Sequence, residues 1–231
     1  MTAWRAKFWC KALPLLLGVT GGFLSSGCTK VDNRSSVLVI VIDRLGVDSV
    51  TCSSEAPGFL KLCDESLRFT HSYTTSTLSA PAMGSILTGQ YPYETGLHHN
   101  GGGELGVMSS SVESVAEIAL REGFRTAFFA GSAPLLRRTG LHQGFEMFDD
   151  SITTDNVRLH RPAHEVVDLF LQWQAQIQKS NASAPFFAVL HFGDLQFPWA
   201  PTLDESGRPR ENTVKAQIDE IDSALTKLWS V

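Results

Sequence analysis

Six apolar residues in a row, Val37-Leu38-Val39-Ile40-Val41-Ile42, end abruptly in Asp43. Unbroken aliphatic, largely β-branched sequence is what a strand needs when both of its faces are buried, as in a parallel sheet covered by helices on each side. An Asp closing such a strand is costly in a core unless it is paired or holds a cation. The segment that constrains the fold class therefore also marks a place for chemistry, since open α/β sheets gather ligands beyond the carboxyl ends of their strands.

Strand-like and helix-like patterns alternate from here without an internal repeat. Helices are expected over 56–66, 81–87, 112–121, 163–178 and 212–229, and strands over 37–42, 68–73, 125–130 and 186–191. The helix over 112–121 carries Val112, Val115, Ala116, Ala119 and Leu120 on one face. Residues 90–106 read as a Gly-rich, His-containing loop, and 131–150 as irregular. This order predicts one domain, a three-layer α/β/α sandwich with a mostly parallel central sheet. With 231 residues and 43% hydrophobic content the chain can fill such a core.

The segment Ser79-Ala80-Pro81-Ala82-Met83-Gly84-Ser85-Ile86-Leu87-Thr88-Gly89 places a hydroxyl at the entrance of a short helix. Pro is tolerated in a first turn, and small residues let other segments approach. Ser79 is read either as a nucleophile facing an anionic ester or as a simple helix cap.

Taken in order, these pieces resemble the sulfatase family of the alkaline phosphatase superfamily, from about Val37 to the C-terminus. Ser79-Ala80-Pro81-Ala82-Met83 is similar to the family's Cys/Ser-x-Pro-x-Arg signature, and Leu87-Thr88-Gly89-Gln90-Tyr91-Pro92 to the element after it. The segment 36–46 resembles the first strand with its Asp-Asp metal ligands. Segment 185–199, with His191, Asp194, Gln196 and Pro198, resembles the family's His-x-x-Asp-Pro-His-x-Pro element.

The resemblance implies an alkaline phosphatase-like fold, hydrolysis of a sulfate ester, one calcium ion, and a formylglycine made from the residue at position 79. It assigns Asp43 to the metal and Ser79, His191 and Gln196 to the reaction; pairing or capping are the plainer roles for Asp43, and a satisfied, partly buried ring for His191. His98 and His99 are read as substrate contacts rather than metal ligands. Four departures stand against this set. Arg44 replaces the second Asp, removing an anionic ligand or pairing with Asp43. Met83 replaces the Arg that directs formylglycine formation, which predicts an unmodified Ser79. Gln196 replaces a His, and can hydrogen-bond a sulfonyl oxygen but not protonate a leaving group. No Asp-His-Gly follows the last helix. The expectation is a sulfatase-like hydrolase of sulfated or phosphorylated small molecules or glycans, C-terminally incomplete and inactive as it stands. The alternatives are a phosphoester hydrolase or transferase using unmodified Ser79, a noncatalytic pseudoenzyme, and a truncated gene product.

Residues 1–27 carry Arg5, Lys7 and Lys11 ahead of an uncharged run that ends in Ser25-Ser26-Gly27-Cys28. The run is short and interrupted by Pro14, Gly18, Gly21 and Gly22, which favours a cleaved signal over a spanning helix. It resembles a bacterial lipoprotein signal, with Cys28 as the lipidated residue, 28–36 as a tether and 37–231 as the sulfatase-like domain. Thr29 resembles sorting to the outer membrane. Removing the three early cations from the 19 basic residues leaves 16 against 24 acidic ones, a balance that disfavours nucleic acid. Beyond Cys28 only Cys52 and Cys63 remain, either bonded to each other or as two buried thiols.

The lipid anchor is directly testable. Cys28→Ala is expected to release the protein from the membrane fraction and abolish fatty-acid labelling. Unchanged fractionation together with an unlabelled wild type would end this reading.

Overall fold

The computed structural model describes residues 34–231 apart from positions 51, 102–105, 153–159, 181–183, 200–205, 209–212 and 231. The signal-like segment and Cys28 lie outside the described residues. In chain order the elements are β1 (Val37–Ile42), α1 (Pro57–Glu65), α2 (Ser79–Thr88), α3 (Pro92–Thr95), α4 (Val115–Arg121), β2 (Arg125–Phe129), β3 (Met147–Asp149), α5 (Ala163–Ser180), β4 (Phe186–Phe192) and α6 (Val214–Trp229).

One sheet runs in the order β1-β4-β2-β3, with every pairing parallel. Register aligns Val39, Val189, Phe128 and Phe148 in a row across it, and Ile40, Leu190, Phe129 and Asp149 in the next. Successive side chains of a strand point to opposite faces. The first row accordingly meets a core formed with Met83 and Leu87 of α2 and Ala116 of α4. The second row meets a core formed with α1, α5 and α6. These are the three layers the sequence predicts.

Local chemistry explains the helices. On α5 the buried residues Val166, Phe170, Trp173 and Ile177 recur at helical spacing, and Phe170 and Trp173 meet Phe129 edge-on. α4 begins with a capping box in which Ser114 accepts from Glu117 N and Glu117 accepts from Ser114 N. α1 starts against α6, where Phe59 N donates to Asp222 Oδ1 at 2.9 Å. Gly58 is needed there, because a Cβ would stand 2.4 Å from the Asp222 carbonyl oxygen.

Two expectations change, and one open alternative is decided. Segment 68–73 forms no strand: Leu67, Phe69 and Tyr73 are 89%, 81% and 88% exposed, so the segment has no core face to hold it in a sheet. Within the stretch read as irregular, Met147–Asp149 adds a fourth strand beside β2, and α3 lies in the Gly-rich loop. Cys52 and Cys63 are bonded, with Cα atoms 6.0 Å apart, tying the loop after β1 to α1.

Asp194 anchors the start of α5. Its Oδ1 accepts from Ala163 N at 2.9 Å, whereas the buried Oδ2 has no hydrogen-bond partner. Burial lifts its pKa from 3.8 to about 7. The folded chain thus keeps a proton that the unfolded chain releases above about pH 4. Stability held by neutral Asp194 is complete in acid and is lost as pH rises to about 7. Asp194→Asn keeps the acceptor for Ala163 and cannot ionise, so its stability should fall less over this window, by on the order of a few kcal/mol. The neighbouring His164–Glu220 pair, in which Glu220 raises the His164 pKa, also acts on Asp194, so the comparison reads Asp194 together with its coupling to this pair. Denaturant unfolding from about pH 4 to about pH 8 reads the difference, and parallel curves would contradict it.

Candidate active site

Asp43 continues β1 by one hydrogen bond, from its N–H to Phe192 O at 3.0 Å, and so projects from the carboxyl end of the sheet. Arg44 follows at φ 59°, a left-handed turn uncommon for a non-glycine residue. Its side chain is exposed and makes no ion pair with Asp43, so the expected Arg44–Asp43 pairing is not what stabilises this carboxylate.

Ser79 supplies the first partner. Leu78, not Ser79, occupies the cap position of α2, and the Ser79 hydroxyl donates to Asp43 Oδ2 at 2.6 Å. Capping is therefore not its role. The α2 N-terminus is closed instead by Asn100, whose Oδ1 accepts from Ala80 N at 2.9 Å.

β4 brings two more groups. Fully buried His191 accepts from Gly131 N at its Nδ1 over 3.3 Å, which assigns the ring proton to Nε2. Nε2 stands 3.3 Å from Asp43 Oδ2, within contact of the carboxylate but off the axis of a hydrogen bond. Gln196 donates from Nε2 to the same Asp43 oxygen and to Ser132 Oγ at 3.2 Å. The crossing of β2 and β4 is tight here, because a Cβ on Gly131 would lie 2.2 Å from His191 O.

The four residues assigned from the sequence, Asp43, Ser79, His191 and Gln196, thus converge on one carboxylate oxygen. Ser132 and Asn100 were not assigned from it. Ser132 lies three residues beyond the end of β2, near enough that the rule that places sites at strand ends could have singled it out. Asn100 offers no such signal beyond its place beside a glycine run. His98 and His99 are exposed, and Met83 is buried in the core beneath α2, offering the site no cation.

Electrostatics favour an ionised Asp43. Burial by itself raises its pKa, but the His191 contact and the hydrogen bonds from Ser79 and Gln196 outweigh this and hold it below the ordinary 3.8. A calcium ion fits these residues poorly. Among the described residues no three His, Cys, Asp or Glu side chains stand close enough to share a cation. Asp43 is the one carboxylate in the cluster, and its Oδ2 is already taken by two donors.

A family model described as Sulfatase matches residues 35–222. Among curated relatives, a choline-sulfatase of Rhizobium meliloti (strain 1021) is 32% identical over 126 residues, covering 53% of this chain and 23% of that protein. An N-acetylgalactosamine-6-O-sulfatase of Bacteroides thetaiotaomicron is 28% identical over 131 residues, covering 50% of this chain and 25% of that protein. The chain thus spans about a quarter of these relatives' length. An alkaline phosphatase superfamily protein from Vibrio parahaemolyticus superposes with a TM-score of 0.62 at 16% identity, over 85% of this chain and 50% of the other. A structure solved with its substrate D-glucosamine-2-N,6-O-disulfate superposes with a TM-score of 0.57 at 18% identity, over 73% of this chain and 36% of the other.

Ser79→Ala removes one donor from Asp43. The Asp43 carboxyl should then titrate at higher pH, which carbon-detected NMR reads directly. Because a depressed carboxylate stabilises the fold above its unfolded pKa and loses that contribution as pH falls, the variant should also be less stable near neutrality and converge with wild type in acid. An unmoved Asp43 titration would show that the Ser79 bond does not form in solution.

Proposed function

Because the chain belongs to the sulfatase family, we propose that the cluster at Asp43 and Ser79 receives the sulfate group of an ester carried by a small molecule or glycan at the bacterial cell envelope, and that Ser79 remains serine there. The single observation that carries this reading is the 2.6 Å hydrogen bond from a hydroxyl at the entrance of α2 to an ionised carboxylate at the end of β1. A nucleophile and a base within that reach form the minimal pair for attack on sulfur. Asp43 would accept the Ser79 proton as Ser79 Oγ bonds to sulfur and the ester S–O bond breaks, the departing oxygen taking its proton from water because Gln196 cannot give one. His191 keeps Asp43 charged, and Gln196 turns its amide towards a sulfonyl oxygen. The relatives' names, choline-sulfatase and N-acetylgalactosamine-6-O-sulfatase, support a small-molecule or glycan sulfate ester as the ligand class.

Turnover by this chain should be negligible. Gln196 cannot protonate a leaving oxygen, Met83 brings no charge, and one carboxylate makes a poor calcium site. Losing a single stabilising donor typically costs about 100- to 1,000-fold. A second reading, phosphoester transfer through Ser79, draws on the same Ser79–Asp43 bond, since it needs no formylglycine.

The purified chain should hydrolyse 4-nitrocatechol sulfate and bis-4-nitrophenyl phosphate no faster than Ser79→Ala and Asp43→Asn, with or without calcium. Peptide mass spectrometry should find serine at position 79 in protein from the native host. Brisk sulfate hydrolysis abolished by both substitutions, or a peptide lighter by the two hydrogens of formylglycine, would overturn the inactive, unmodified reading. Phosphate hydrolysis abolished by both would select the second.

A further inference from the structure

On the α1 side of β1, the face of the sheet opposite α2, an open cleft of about 340 Å³ lies between the loop after Asp43 and α1. Ile42, Leu45, Val47, Phe59, Leu62 and Leu67 supply its apolar walls. A cleft of this size falls at the small end of ligand cavities and takes one alkyl chain rather than two. Its two sides are joined covalently, since Cys63 of the α1 wall is bonded to Cys52 at the far end of the loop, and walls fixed in advance cost a ligand little ordering. At the mouth Val47 and Leu67 are 71% and 89% exposed, which leaves large aliphatic side chains in water that an apolar ligand would cover. Arg68 is the one charged side chain that lines the cleft. It is exposed, and its guanidinium is engaged by no ion pair or hydrogen bond among the described residues.

We propose that this cleft binds a single-chain amphiphile with an anionic head, a fatty carboxylate, whose alkyl chain lies between the loop and α1 and whose carboxylate meets Arg68. Charge complementarity selects this occupant over a neutral apolar one. Aliphatic walls give a polar molecule nothing to bond, whereas a free guanidinium at the rim presents a carboxylate with two parallel donors. The chain contributes affinity in proportion to the methylenes it buries, and the head fixes which end stays in solvent. None of the lining residues belongs to the Ser79–Asp43 cluster, so the site stands apart from the sulfate-ester reading.

Methyl NMR titrations of the full chain with hexanoate, octanoate, decanoate and the uncharged octan-1-ol test this. Affinity should rise about 3- to 4-fold per added methylene along the carboxylates until the cleft is full, with shifts at the methyls of Ile42, Leu45, Val47 and Leu62. Arg68→Ala should weaken octanoate about 3- to 5-fold and leave octan-1-ol unchanged. Val47→Trp, which fills the mouth, should weaken both. Both positions are exposed, so neither substitution disturbs the core. Equal binding of hexanoate and decanoate, octanoate binding that Arg68→Ala leaves unchanged, or no binding by wild type overturns the site. Shifts of the same methyls with protein concentration alone would give the cleft to a second copy of the chain, and would overturn it as well.

Discussion

β4 lies between β1 and β2 with helices over both faces, so consecutive side chains from Phe187 to Phe192 are removed from water on alternating sides. Everything else in the fold depends on that two-sided burial. It requires a continuous apolar run, it forces Phe128 and Phe129 into separate cores, and it demands helices on each face. Each large side chain so buried contributes about 1.5–3 kcal/mol against the entropy of ordering the chain. Polar groups can be carried only where the strands stop.

That is where the site forms. Asp43 at the end of β1, His191 near the end of β4 and Ser132 just after β2 are brought together by register, because parallel neighbours end at the same edge of the sheet. Ser79 arrives from the helix facing that edge. One carboxylate oxygen then takes a hydroxyl, an amide and an imidazole edge. Among the described residues of this cluster, Asp43 is the one side chain that brings negative charge to the edge of the sheet.

Much of this is legible in the sequence. Long periodic or uniformly apolar segments, β1, β4, α5 and α6, announce themselves, because tertiary burial acts on many residues at once. Met147–Asp149 did not, since three residues carry too little pattern to separate a strand from a loop. Segment 68–73 misled for the opposite reason: its aromatic and β-branched content is strand-like, but strand propensity reflects a packed, half-buried surface, and Phe69 and Tyr73 have none. Asp43 follows the end of a strand and Ser79 begins a helix, whereas His191 and Gln196 could be assigned through the resemblance of segment 185–199 to the sulfatase His-x-x-Asp-Pro-His-x-Pro element. Ser132 and Asn100 matter through contacts made across 64 and 20 residues of chain, which neither spacing nor composition reports.

The Cys52–Cys63 bond joins the loop leaving the Asp43 turn to the body of α1. Such bonds form and persist in oxidising compartments and stay open in a reducing cytoplasm. Reduction would therefore release this loop from the helix, and oxidation would draw it back. The fastening of the segment beside the carboxylate is in that sense set by the redox state of its surroundings: the reduced polypeptide carries the same residues with one side of the Asp43 turn unfastened.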